Sequence, residues 1–187
     1  MQENSKNVPF GFWVYIMSDC VLFASLFATY AVLQGATFGG PAPRELFDLQ
    51  FILIETILLL TSSFTVGLAV IFAREDKKQL ALTMLGATLV LGLAFLAMEV
   101  TEFKHLIAEG HGPDANAFLS SFFTLVGTHG LHVFFGALWM IVVMIHIFRS
   151  GVEKNLTKLT ILSMFWHFLD VIWIFIFTFV YLIGALS

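Results

Sequence analysis

Residues 127–133 read GTHGLHV, inside an apolar run, 115–148, that holds no Asp, Glu, Lys or Arg. A run of that length and composition reads as a helix that crosses a membrane. His129 and His132 are three residues apart, so on a helix they share a face, about one turn from each other. Gly127, Gly130 and Gly136 lie on and around that face, where missing side chains let a neighbouring helix come close. Lipid offers no hydrogen-bond partner, so the imidazoles must find theirs inside the protein. Two further i, i+3 pairs occur on other apolar segments: Glu99 with Glu102, and His167 with Asp170.

The whole chain shares this character. Of 187 residues, 59% are hydrophobic and 12% are charged. The charged share is about half that of soluble domains, and mean hydropathy is +0.92. Such a chain has too little polar surface to cover a water-facing globule, so it reads as an all-α, polytopic membrane protein. The 22 Phe residues suit a lipid-facing exterior with aromatic packing between helices. A net charge of −4 with nine basic residues argues against nucleic-acid binding. Cys20, the single cysteine, permits no intramolecular disulfide and reads as a small buried packing residue.

Five transmembrane helices are expected, at about 10–34, 50–73, 79–108, 117–148 and 159–186, forming a single transmembrane domain over 1–187. Residues 1–9 read as a disordered or surface-lying tail. The first apolar segment exceeds a signal-peptide core, carries Asp19 in its middle and lacks a small-residue cleavage site, so it reads as a retained helix. Gly39, Gly40, Pro41 and Pro43 then break the chain, in a connection with Arg44, Glu45 and Asp48 that has room for a short surface helix. Residues 74–78 form a charged turn, 109–114 a Gly/Pro turn and 149–158 a polar loop, and no internal repeat is present.

With five spans, the amino-terminal tail and the second and fourth connections share one side. They hold Lys6, Arg74, Lys77, Lys78, Arg149, Lys154 and Lys158, against only Arg44 and Lys104 on the other. The excess of basic residues on cytoplasmic loops therefore predicts a cytoplasmic amino terminus and a periplasmic carboxyl terminus.

At a rise of ~1.5 Å per residue, His129 and His132 lie roughly 16–22 Å in from the outer side, and Asp170 lies at a comparable depth from the inner side. His132 and Asp170 are thus expected near one level, with Glu99 and Glu102 closer to the outer face. Glu99, Glu102, His129, His132, His167 and Asp170 suggest an interhelical polar cluster on helices three, four and five. Carboxylates and histidines on facing helices also build di-iron centres, but those use Glu-x-x-His on single helices. Here the pairs are E-x-x-E, H-x-x-H and H-x-x-D. Packing is the preferred reading, with metal binding and a proton-linked role as the alternatives. Asp19 stands apart, either as a neutral acid bonded to a neighbouring helix or as a proton-exchanging acid near lipid headgroups. Glu55 is expected near the interface, and Thr61, Ser62 and Ser63 as hydroxyls bonding back to their own helix. Trp13 and Trp139 are expected in interfacial belts, with Tyr30 and Tyr181 near the outer ends.

GTHGLHV at 127–133 and FWHFLDVIWIFIF at 165–177 together resemble the paired signature of subunit III of haem–copper respiratory oxidases. MEVTEF at 98–103 resembles that family's E-x-x-E helix, and YIMSDCVLF at 15–23 its first shared helix. The matches keep family order, cover nearly the whole chain and are most similar to the ubiquinol-oxidising, cytochrome bo-type branch. The two helices that begin the family's seven-helix form are missing here. Asp19 stands where the family often has a carbodiimide-reactive glutamate, and the tryptophan-rich ending is Leu182-Ile183 here.

The resemblance implies a non-catalytic subunit without cofactor or metal of its own. Haem and copper then belong to subunit I, with subunits II and IV completing a complex in the bacterial inner membrane that oxidises ubiquinol, reduces dioxygen and pumps protons. It also implies bound phospholipid in a cleft between two helix groups, expected here as helices one and two against three to five, with Asp19 near the cleft wall. Trp166 and Trp173 are expected in aromatic packing. Three alternatives stand beside this reading: a cytochrome c-oxidising subunit III, a free-standing membrane metalloenzyme built on the six polar residues, and a small transporter.

Overall fold

The computed structural model describes residues 3–37 and 48–186, and every regular element among them is helical. The five long helices are α1 (Glu3–Leu33), α2 (Leu49–Arg74), α3 (Lys78–Ala108), α4 (Ala117–Ser150) and α5 (Leu156–Ile176). A 3-10 turn, Glu153–Asn155, precedes α5, which runs on through a π-helical segment, Phe177–Leu182, into a last turn, Ile183–Leu186. Among the described residues, five stretches are long and apolar enough to cross a membrane: Phe10–Leu33, Leu49–Arg74, Lys78–Ala108, Ala117–Ser150 and Glu153–Leu182. Large apolar side chains are exposed on every span (Val21, Phe64, Val90, Phe135 and Phe175 among them), as a lipid-facing surface requires.

The ends of the helices follow from local chemistry. Asp48 caps α2, its carboxylate accepting from the Gln50 and Phe51 amides, and Asn116 caps α4 by accepting from the Leu119 amide at 2.8 Å. Helix α3 ends at a left-handed Gly110 (φ 82°), with the His111 amide reaching back to the Leu106 carbonyl at 2.9 Å. Asp76 (φ 57°) plays the same part after α2, and the Lys77 amide reaches Phe72. The expected 149–158 loop is shorter than its composition suggests. Buried Asn155 donates its side-chain amide to the His146 and Gly151 carbonyls, and this draws the chain straight from α4 into the start of α5. The connection expected around Gly39, Gly40, Pro41, Pro43, Arg44 and Glu45 lies outside the described residues.

Helices α2, α3, α4 and α5 form a closed ring in which each packs on the next and α5 returns to α2. Helix α1 leans from outside on α4 and, more lightly, on α5. In the most apolar window of the α5 span 61% of residues are buried, against 22% for α1, so α5 is the inner element and α1 the peripheral one. This corrects the expected grouping of helices one and two, because the principal neighbour of α2 is α3. Helix α1 also begins at Glu3, so the polar tail continues the helix. Cys20 is exposed rather than buried, because α1 turns Asp19 inward and its successor away from the bundle.

Small residues set the helix separations. A Cβ added at Gly92 on α3 would stand 2.8 Å from Trp166 Cζ2, and one at Gly136 on α4 3.2 Å from Trp166 Cζ3. The Trp166 indole therefore fills a slot between two glycines, and its Nε1–H donates to Ser62 Oγ on α2 at 2.9 Å. One side chain thus ties four helices. Gly92→Ala is expected to lower unfolding stability by about 1–3 kcal/mol through overpacking. Gly86→Ala, where nothing lies within 4 Å, is expected to be neutral or mildly stabilising. Thermal unfolding of both variants in the same detergent is the check, and equal stabilities would rule out the slot.

Candidate functional site

The buried polar residues fall along three seams of this frame. The first joins α2 to α5. Trp173 Nε1–H donates to Thr56 Oγ1 at 3.1 Å, Trp166 to Ser62, and Ser63 Oγ meets His167 Nδ1 at 2.6 Å. The helices run antiparallel, so the earlier hydroxyl on α2 takes the later ring on α5. Thr56 and Ser62 also donate to their own helix, to the Ile52 and Leu59 carbonyls, which leaves their oxygens as acceptors for the indoles. Asp170 is buried beside this seam, with the Ser63 hydroxyl of α2 as its polar neighbour.

The second seam joins α4 to its neighbours, and it splits the histidine pair. His129 is fully buried, and its Nε2–H donates to the Leu169 carbonyl of α5 at 3.2 Å. Its ring stands edge-on to Phe95, with centroids 5.8 Å apart, and lies against Trp173 at 5.2 Å. His132 turns towards α1 instead. Its Nδ1–H donates to the Thr128 carbonyl at 2.7 Å, its ring lies 5.2 Å from Phe23, and its Nε2 is 3.8 Å from Asp19 Oδ2. Asp19, read from the sequence as standing apart from the cluster, is therefore the partner of His132 across the α1–α4 contact. Residues at i, i+3 point about 60° apart around a helix, and that angle is enough to send the two imidazoles to different neighbours.

The third seam gathers acids between α2, α3 and the π segment. Glu99 is seated on α4 through Gly130, where an added Cβ would stand 2.8 Å from Glu99 Cδ. Glu102 Oε2 accepts from the Tyr181 hydroxyl at 2.9 Å. Glu55 is fully buried, within electrostatic reach of Glu102 and Glu99, and not at the interface where its place near the end of α2 would put it. Tyr181 is likewise fully buried, away from the outer belt. The physical reason is shared: α2 and the π segment both turn these residues towards α3. Trp139 is also drawn inward, between Phe12 and Phe165 at 5.9 Å from each, whereas Trp13 remains exposed.

The six residues read as one cluster are thus distributed over three contacts. Among the described residues, no three His, Cys, Asp or Glu side chains come together to hold a metal ion. The histidine nitrogens that have partners are committed to carbonyls or a hydroxyl, so the set does not fit a di-metal centre. Thr56, Glu55 and Tyr181 were missed as members of the buried network. Hydroxyls at 56, 62 and 63 on α2, spaced much like Trp166, His167 and Trp173 on α5, are a signal in the sequence. For Glu55 there is none, because its partners lie over forty residues away.

Comparison with known proteins adds the following. The family model described as cytochrome c oxidase subunit III matches residues 2–185. The cytochrome bo(3) ubiquinol oxidase subunit 3 of Pseudomonas aeruginosa is 56% identical over 185 residues, covering 98% of this chain and 88% of that protein. The protein of the same name from Buchnera aphidicola is 47% identical over 178 residues, covering 95% and 87%. A probable quinol oxidase subunit 3 of Staphylococcus aureus is 47% identical over 176 residues, covering 93% and 88%.

A double-mutant cycle on Thr56→Val and Trp173→Phe tests the α2–α5 seam. The expected coupling is about 0.6 kcal/mol, with about 1.7 kcal/mol as the upper end for a hydrogen bond between membrane helices. Additive losses in detergent unfolding would show that the indole bond does not join the two helices.

Proposed function

The chain belongs to the cytochrome c oxidase subunit III family, and from that premise we propose that it is the third subunit of a haem–copper oxidase that oxidises ubiquinol, reduces dioxygen to water and pumps protons. The observation that carries the choice of donor is the 56% identity, over 98% of the chain, to a protein named as subunit 3 of a ubiquinol oxidase. Within that complex the chain is an accessory subunit of an oxidoreductase and not an enzyme on its own. Haem and copper reside in subunit I, on which this chain packs, and subunits II and IV complete the assembly in the bacterial inner membrane. The amino terminus lies in the cytoplasm, a reading supported by the seven-to-two distribution of basic residues between the two sides.

The geometry supports a scaffold that holds lipid. Between α1 and the end of α5 runs a groove of about 570 Å³, lined by Ala24, Phe27, Ala28, Ala31, Phe175 and Phe179. Alanines on α1 make room where larger side chains would close the gap, and the aromatic rings supply apolar walls. Val171, Ile174, Phe175 and Phe179 leave a strip of the α5 span exposed. The cleft for phospholipid acyl chains thus lies between α1 and the end of the α5 span. Asp19 faces His132 on α4.

Purification of this chain from its native membrane in mild detergent is the experiment. Co-purification with a large haem-bearing subunit, turnover on ubiquinol and bound phospholipid are the expected results. Turnover on cytochrome c but not quinol would move the chain to the other branch of the family, and lipid-free complex would end the cleft proposal. In the same preparation, His132→Ala and Asp170→Ala are expected to reduce assembly while leaving the haem spectrum of assembled complex unchanged. Loss of haem–copper absorbance in a fully assembled variant would contradict the packing role.

A further inference from the structure

The third seam contains something that helix packing does not require. Glu55 is fully buried, and neither of its carboxyl oxygens has a hydrogen-bond partner; Glu99 Oε2 is in the same condition. Packing alone would be served as well by Gln or Leu. The titratable groups facing Glu55 are Glu102 and Glu99 from α3 and Tyr181 from the π segment. From α4, Glu99 is met by Gly130, which brings no charge, and His129 turns away to Leu169. The π segment is a second, independent sign. Widening the helix over Phe177–Leu182 carries the Tyr181 hydroxyl to Glu102, and π-bulges of this kind often mark functional sites.

The seam also has an outlet. Glu102 lines a cavity of about 200 Å³ with Asp48, Phe51, Thr101, His105 and Leu106, at the end of the bundle where α2 begins and α3 finishes. Asp48 and His105 are exposed there, so this end opens to water. A cavity of that size with carboxyl, hydroxyl and imidazole groups in its wall has room and partners for several waters. Among the described residues these three carboxylates form no ion pair with Lys or Arg, so they cannot all be charged in a low-dielectric interior, and there the side chains do not converge as metal ligands. Protons are the remaining counter-charge.

We propose that Glu55, Glu99 and Glu102, with Tyr181, form a proton-holding site that exchanges with the aqueous phase through the Glu102 cavity. In the exchange step the Glu102 O–H bond breaks and its proton passes to a cavity water, leaving a carboxylate that keeps the Tyr181 hydrogen bond. A proton from Glu55 or Glu99 then restores the Glu102 acid. The proposal does not rest on the identity of the electron donor or on the partner subunits.

The test is infrared spectroscopy of the purified complex in lipid nanodiscs, reading the carboxylic-acid C=O stretch before and after transfer to D2O. Protonated-carboxyl intensity that falls in Glu55→Gln and again in Glu99→Gln is expected, with wild-type bands shifting in D2O without unfolding. Thr101→Trp, which narrows the cavity mouth while leaving all three carboxyl groups in place, is expected to keep the intensity and slow the D2O shift by about tenfold or more. Intensity unchanged in both Gln variants would overturn the proposal, as would bands that shift only on unfolding. Bands that vanish on adding Na⁺ or K⁺ would identify a metal-cation site and overturn it too. Should Glu55→Gln not assemble, the wild-type exchange and the Thr101→Trp comparison decide by themselves.

Discussion

A polar group surrounded by lipid has no water to fall back on, and this constraint shapes each contact described above. It explains why the indole nitrogens of Trp166 and Trp173 end on Ser62 and Thr56, and why those hydroxyls sit on the face of α2 that meets α5. A bond of this kind contributes only about 0.5–2 kcal/mol. Its larger effect is on geometry. An indole N–H has a single direction, so satisfying it sets both the rotation of α5 and its height against α2. The glycines at 92 and 136 then allow the ring to lie where its nitrogen needs to be.

The same constraint separates scaffold from reactive groups. Groups whose bonding capacity is used, such as the Trp166 indole on Ser62 or the Asn155 amide on the end of α4, hold one element to the next. Groups whose capacity is not used stand out. Glu55 and Glu99 are buried with oxygens lacking partners, Asp170 is buried with only the Ser63 hydroxyl beside it, and Asp19 Oδ2 meets His132 at a distance longer than a hydrogen bond. These four sit on four different helices, each next to a close contact, so a change in their charge would be felt by the packing around them.

Family membership and the ring architecture agree on what kind of molecule this is. A closed ring of four helices, of which α5 is the most buried, makes a stiff support, and the peripheral α1 leaves an apolar groove along α5. The histidines, by contrast, diverge in space, His129 to α5, His132 to α1 and His167 to α2.

Much of this was written in the chain. Five apolar runs separated by Gly, Pro and charged residues dictate five membrane helices, because an apolar run of this length has only lipid or a protein core in which to lie. The motifs around His129, His132, Trp166 and Trp173 likewise mark the family by residue type and spacing alone. What only the tertiary structure decided is which helix faces which. Hydropathy reports that a residue avoids water, but lipid and a neighbouring helix satisfy that equally, so Cys20 was expected inside and Tyr181 outside, the reverse of where they lie. The pairing of Asp19 with His132 and the meeting of Glu55 with Glu102 depend on helix rotation and order. Those are set by long-range packing, which no local window of sequence contains.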